Sequence, residues 1–128
     1  MDAVVRVLIA DDEEDIRLLV GLAVRRAGCT VVASVPDGAQ ALVAAGAELP
    51  DLVVLDVSMP EITGLEVCTA LRAHPPTAGC RVLLLSAGAT PDDVARGLAA
   101  GADAYLAKPF TIAGLIAEVR ELTAAARV

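Results

Sequence analysis

Leu52-Val53-Val54-Leu55 is an unbroken aliphatic run, closed by Asp56 and bounded by Pro50-Asp51 before it and Pro60 after it. A run this short, apolar at every position and bracketed by turn residues, reads as a strand buried on both faces, the condition of an interior strand in a parallel sheet. It constrains the rest of the chain, which must cover it above and below. It also delivers one carboxylate, Asp56, at its C-terminal end, the edge where open α/β sheets hold their ligands. Taken alone, Asp56 is as readily a turn-forming aspartate, so its role depends on what other strands bring to the same edge.

Four further runs repeat the pattern. Val7-Leu8-Ile9-Ala10 ends in Asp11-Asp12-Glu13-Glu14-Asp15, Thr30 to Ser34 is β-branched, Arg81-Val82-Leu83-Leu84-Leu85 ends in Ser86, and Ala104 to Ala107 ends in Lys108-Pro109. Helical spacing fills the intervals. Ile16, Leu19, Val20, Ala23 and Ala27 precede Gly28, and Asp37-Gly38 opens an Ala-rich helix expected to end near Gly46. Leu65, Cys68 and Leu71 mark the inner face of a third helix that His74-Pro75-Pro76 closes. A fourth starts at Pro91 with only Val94 and Leu98 as anchors and is expected to be the least firmly packed. The last begins after Thr111, an N-cap, and carries Ile112, Leu115, Ile116, Val119 and Leu122 inward. Strands and helices alternate five times, which predicts an α/β fold: a (βα)5 doubly wound, five-stranded parallel sheet in a single domain over residues 1–128.

Several classes of function are disfavoured. Seventeen acids against ten bases leave a net charge of −7 with no basic cluster, which argues against direct binding to nucleic acid or to an anionic membrane. No apolar run approaches the roughly 18 residues of a membrane span, and Met1 to Arg6 lacks the basic start of a signal peptide. A cytoplasmic location is expected. Cys29, Cys68 and Cys80 are odd in number and lack C-x-x-C spacing, so they read as small buried hydrophobes.

If the strands are parallel, Asp11, Asp12, Asp56, Ser86 and Lys108 emerge at one edge, from strands one, three, four and five. Carboxylates placed close together repel by roughly 4 kcal/mol per pair at 4 Å and an effective dielectric of 20, so such a cluster needs compensation. Three carboxylates and one ammonium leave a formal −2, which a divalent cation cancels, and an all-oxygen set of few ligands suits Mg²⁺. Glu13, Glu14 and Asp15 are explained as acids at a helix start. Lys108 is the only lysine beside nine arginines, and a compact ammonium is suited to reach a phosphoryl oxygen.

Asp11-Asp12, Asp56-x-x-Met59-Pro60 with Gly64, Ser86-Ala87, and Gly101-Ala102-Asp103-Ala104-Tyr105-Leu106-x-Lys108-Pro109-Phe110 together resemble the receiver domain of two-component response regulators, from about Arg6 to Val119. The resemblance implies the flavodoxin-like receiver fold with strand order 2-1-3-4-5, as in the family's chemotaxis member. It implies that Asp56 accepts a phosphoryl group from a sensor histidine kinase or phosphotransfer protein. Asp12, Asp56 and the Ser58 backbone carbonyl would bind Mg²⁺, with Asp11 acting through water. Lys108 and Ser86 would hold phosphoryl oxygens, Ser86 and Tyr105 would form a switch pair, and a downstream output domain or protein would read the result. The chain would be a phosphoacceptor, not an enzyme with its own substrate, and Lys108-Pro109 would be cis.

Two departures from family patterns carry expectations. Gly114, Glu118 and Ala104 stand where the winged-helix subfamily places a dimer-forming charge network, so a monomer or weak dimer is expected. Ser58 and Gly88, which flank the line of attack in the family, are small, so an open site with slow to moderate self-hydrolysis is expected. A flavin-binding relative would need a phosphate cradle where five acids stand after the first strand. An aspartyl-phosphate hydrolase would need an acid where Ser58 stands.

Overall fold

The computed structural model describes residues 4–88 and 90–124; both ends of the expected 1–128 span, Met1 to Ala3 among them, lie outside the described residues. The elements alternate as β1 (Arg6–Ala10), α1 (Glu14–Arg26), β2 (Thr30–Val35), α2 (Gly38–Glu48), β3 (Leu52–Asp56), α3 (Gly64–Ala73), β4 (Arg81–Ser86), α4 (Pro91–Ala99), β5 (Ala104–Ala107) and α5 (Ile112–Ala124). All strand pairs are parallel and the order is β2-β1-β3-β4-β5.

The period-two alternation of strand side chains divides the core into two layers. Leu52 and Val54 of β3, with Val7, Ile9, Leu83 and Leu85, pack against Val20, Ala23 and Val24 of α1 and Leu115 and Val119 of α5. Val53 and Leu55, with Leu8, Val82 and Leu84, face Ala41 and Ala45 of α2 and Val67, Cys68 and Leu71 of α3. Every residue of β3 is buried. Burying each of Leu52, Leu55, Leu83 and Leu84, all at 0% exposure, stabilises the fold by roughly 1.5–3 kcal/mol. The three cysteines are free and buried. Among the described residues, no helix is long and apolar enough to cross a membrane.

Three local expectations are corrected. α2 does not stop near Gly46 but runs to Glu48, where Leu49 takes the left-handed conformation at φ 48° and donates its N–H to the Ala45 carbonyl; Pro50 follows, so the chain could not continue as helix. The inner face of α3 is Val67, Cys68 and Leu71, with Leu65 only half-buried. Leu98 does not anchor α4: it is 50% exposed, and the buried residue of that helix is Gly97. A Cβ at Gly97 would lie 2.9 Å from the Tyr105 ring and 3.1 Å from Leu84, so α4 meets the sheet through bare backbone.

At the end of the sheet away from the strands' C-termini, Arg72 of α3 ties together the loops that precede β4 and β5. Its guanidinium donates to the carbonyls of Gly101, Ala78 and Cys80 and pairs with Asp103 at 2.9 Å. Asp103 in turn accepts from the Val82 N–H.

Candidate functional site

β1 and β3 are neighbours in register, Ala10 beside Leu55, so Asp11 and Asp56 leave the sheet side by side. Asp11 is fully buried and Asp56 is 3% exposed, whereas Asp12 points to solvent. The carboxylates of Asp11, Asp12 and Asp56 each place an oxygen within 4.8 Å of the others. Backbone N–H groups hold two of them: Glu13 donates to Asp11 Oδ1 at 2.9 Å and Ser58 donates to Asp56 Oδ1 at 3.3 Å.

Lys108 Nζ lies 3.4 Å from Asp11, 3.4 Å from Asp56 and 3.8 Å from Glu13. Its own backbone is fastened to β4 by an N–H bond to the Ser86 carbonyl at 2.7 Å, and the Lys108-Pro109 peptide is cis. Burial pushes the Asp11 carboxyl above its ordinary range; the Glu13 N–H opposes the rise and the charge of Asp56 adds to it. Burial also disfavours the Lys108 ammonium, but facing Asp56 and Asp11 it is held above the ordinary lysine range. One ammonium among these carboxylates leaves a buried, oxygen-lined negative site. That donor set fits a divalent cation, and in particular Mg²⁺, which takes one or two carboxylates and keeps water in its remaining positions.

Ser86 and Tyr105 lie beside this cluster and are joined through one residue. The Ser86 Oγ accepts from the Gly88 N–H at 3.1 Å, and the Tyr105 hydroxyl donates to the Gly88 carbonyl. Tyr105 is half-buried. A cavity of about 230 Å³ opens here between the loop after β3 and the first turns of α4.

A family model described as the response regulator receiver domain matches residues 7–120. The chain belongs to that family. This receiver domain is 44% identical over 117 residues to the transcriptional regulatory protein PrrA of Mycobacterium tuberculosis, a match taking in 91% of the chain and 49% of the relative. It is 38% identical over 115 residues to the DNA-binding response regulator MtrA of Mycolicibacterium smegmatis, with coverages of 90% and 49%. The chain therefore spans about half the length of these curated relatives. Among solved structures, the chemotaxis response regulator CheY4 of Vibrio cholerae aligns with a TM-score of 0.87 at 31% identity, covering 94% of this chain and 99% of that one. The receiver domain of the Francisella response regulator 1452 aligns with a TM-score of 0.86 at 30% identity, covering 94% and 98%. The role of the domain is that of a phosphorelay receiver in two-component signalling.

In this receiver the sheet edge brings Asp11, Asp12, Asp56 and Lys108 into one cluster and sets Ser58, Ser86 and Tyr105 around the adjoining cavity. Four residues take part in ways that the sequence did not show. Glu13, read as an acid at a helix start, also faces Lys108. Arg17 donates to the Asp11 carbonyl at 2.7 Å. Gly64 sits where a Cβ would lie 2.3 Å from the Asp56 carbonyl oxygen; its place eight residues past Asp56 was visible, its contact was not. Asp93 narrows the site at Gly88, where a Cβ would lie 2.7 Å from Asp93 Oδ2, while the cavity lined by Ser58 and Gly88 stays open beside it. The first turn of α4 fills the space that the missing side chain leaves.

Proposed function

We propose that Asp56 is the phosphoryl acceptor of this receiver. The observation that carries the reading is a carboxylate at 3% exposure on a central strand end, 3.4 Å from the chain's only lysine and clustered with two more carboxylates. An Asp56 oxygen attacks the phosphorus of a phosphohistidine; the P–N bond breaks and imidazole leaves with the bonding pair. Lys108 and the Ser86 hydroxyl hold the phosphoryl oxygens. Asp12, Asp56 and the Ser58 carbonyl would bind Mg²⁺, with Asp11 acting through water, and the cation supplies charge neutralisation for the incoming phosphoryl group. Attachment adds a charge of about −2 beside Ser86. Ser86 turns to it and releases the Gly88 N–H, and Tyr105 then gives up the Gly88 carbonyl.

The donor in this reading is a sensor histidine kinase or phosphotransfer protein, and the recipient of the signal is an output domain or protein. Residues 1–128 act as one receiver unit, cytoplasmic, with no separate substrate of their own and no direct contact with nucleic acid or membrane. The domain is a monomer or weak dimer, since Ala104, Gly114 and Glu118 do not form the charge network of the winged-helix subfamily.

Intact mass after incubation with acetyl phosphate and Mg²⁺ tests the acceptor. The wild type gains one phosphate and Asp56→Ala gains none, and chelation of Mg²⁺ stops the gain. Phosphate on the Asp56→Ala protein would overturn the assignment.

A further inference from the structure

The cavity beside Asp56 has a polar wall made of Ser58, Ser86, Gly88, Asp93, Arg96 and Tyr105. It adjoins the acceptor through Ser58 and Ser86. The Ser58 N–H holds the Asp56 carboxylate, and Ser86 follows Leu85, the register partner of Asp56. Its volume of about 230 Å³ admits a small phosphorylated molecule but not a folded partner.

An anionic donor approaching this edge meets Asp11, Asp12, Glu13 and Asp56 on a chain of net charge −7. Lys108 is already held among Asp11, Asp56 and Glu13. The cation lining the cavity is Arg96, whose side chain is 64% exposed and pairs with Asp93 one turn earlier. Exposed pairs of this kind are weak, so a phosphate can take over some of the guanidinium's donors, and the planar fork suits phosphate oxygens. The placement depends on Gly88. A Cβ there would lie 2.7 Å from Asp93 Oδ2, so a larger residue would displace Asp93 and, with it, the ion pair that holds Arg96 at the cavity.

We infer that Arg96 is the residue that recruits small acyl phosphates into this cavity on their way to Asp56. This rests on the reading of Asp56 as acceptor. In the step, an Asp56 oxygen attacks phosphorus, the bond from phosphorus to the acyl oxygen breaks, and the carboxylate leaves with the bonding pair.

The test measures the rate of Asp56 loading by intact mass at saturating Mg²⁺ in wild type, Arg96→Gln and Arg96→Lys. The donors are acetyl phosphate and phosphoramidate, the second carrying less negative charge at neutral pH. With acetyl phosphate, Arg96→Gln loads about tenfold more slowly, the low end of electrostatic steering for an exposed charge. With the guanidinium gone, added salt raises its rate by screening the remaining acids, and Arg96→Lys recovers part of the loss. With phosphoramidate the loss is smaller. Wild-type loading of Arg96→Gln by acetyl phosphate, or an equal loss with both donors, overturns the inference. A wild type that takes no phosphate, or an Asp56→Ala protein that takes one, overturns the acceptor reading instead, so the two failures are distinct.

Discussion

Gly64 and Asp56 meet so closely that a Cβ on the glycine would lie 2.3 Å from the aspartate's carbonyl oxygen. The neighbour is backbone at a buried strand end, with no flexible side chain to swing aside. Gly64→Ala is expected to destabilise the domain by about 1–3 kcal/mol, the usual range for overpacking. It should also slow phosphoryl loading, because relief requires Asp56 itself to shift. Thermal melts and intact-mass loading on one preparation check both; an unchanged melting temperature would refute the contact.

Asp11 should cost the fold stability when no divalent cation is present. Its carboxyl lies above the ordinary range, first through burial and then through the charge of Asp56, so the folded state favours the neutral form while neutral pH imposes the charged one. Asp11→Asn removes the charge and keeps the shape. In EDTA its melting temperature should exceed that of wild type, and added Mg²⁺ should raise it less than it raises wild type. A lower melting temperature in EDTA would contradict the electrostatic account.

Tyr105 is the only tyrosine in a chain without tryptophan, so tyrosine emission reports on this one ring and its hydroxyl bond. If phosphorylation draws Ser86 away from the Gly88 N–H, the Tyr105 bond to the Gly88 carbonyl loses its support. Acetyl phosphate with Mg²⁺ should change the emission in wild type and leave it unchanged in Asp56→Ala. Lys108→Arg should fold and load, yet give a smaller change, because the wide guanidinium cannot draw the phosphoryl group in as an ammonium does. Identical traces for wild type and Asp56→Ala would remove Tyr105 from the switch.

Asp93 closes a capping box with Thr90 at the start of α4. The Thr90 hydroxyl and N–H, with Arg96, hold its carboxyl below the ordinary carboxylate range. A carboxyl lowered in the folded state stabilises the fold above its unfolded pKa and loses that contribution as pH falls through the folded one. The melting-temperature gap between wild type and Asp93→Ala should therefore be full at neutral pH and shrink on acidification through and below the ordinary carboxylate range. A gap that is constant with pH would point to the neutral hydrogen bonds alone.

Much of this was legible because each strand announces itself by a short apolar run and delivers one polar residue at its end. Asp11, Asp12, Asp56, Ser86 and Lys108 needed only parallel strands to converge. The parts that escaped were those set by helix phase and by absent side chains. Val67 replaced Leu65 as the buried residue beside Cys68 and Leu71, and Leu98 faced outward instead of anchoring α4, because an apolar residue near the right spacing does not fix the rotation of a helix. Gly64, Gly88 and Gly97 act by leaving room, and the atom that enters that room comes from another element of the fold. Asp93 was visible as a helix-start acid, but nothing local indicated that it would stand over Gly88.

The attachment of α4 through Gly97 separates two kinds of failure. Moving a helix that presents bare backbone to the sheet withdraws no interlocked side chain from the core beneath and uncovers chiefly Leu84 and the Tyr105 ring, so displacing α4 should weaken the fold less than a change within β1, β3 or β4. Substitutions that unfold the domain and substitutions that silence it should then fall on different residues, the first in β1, β3 and β4 and the second along α4. The outer surface of that helix is thus free to change allegiance between descendants, while the sheet that carries the acceptor stays as it was.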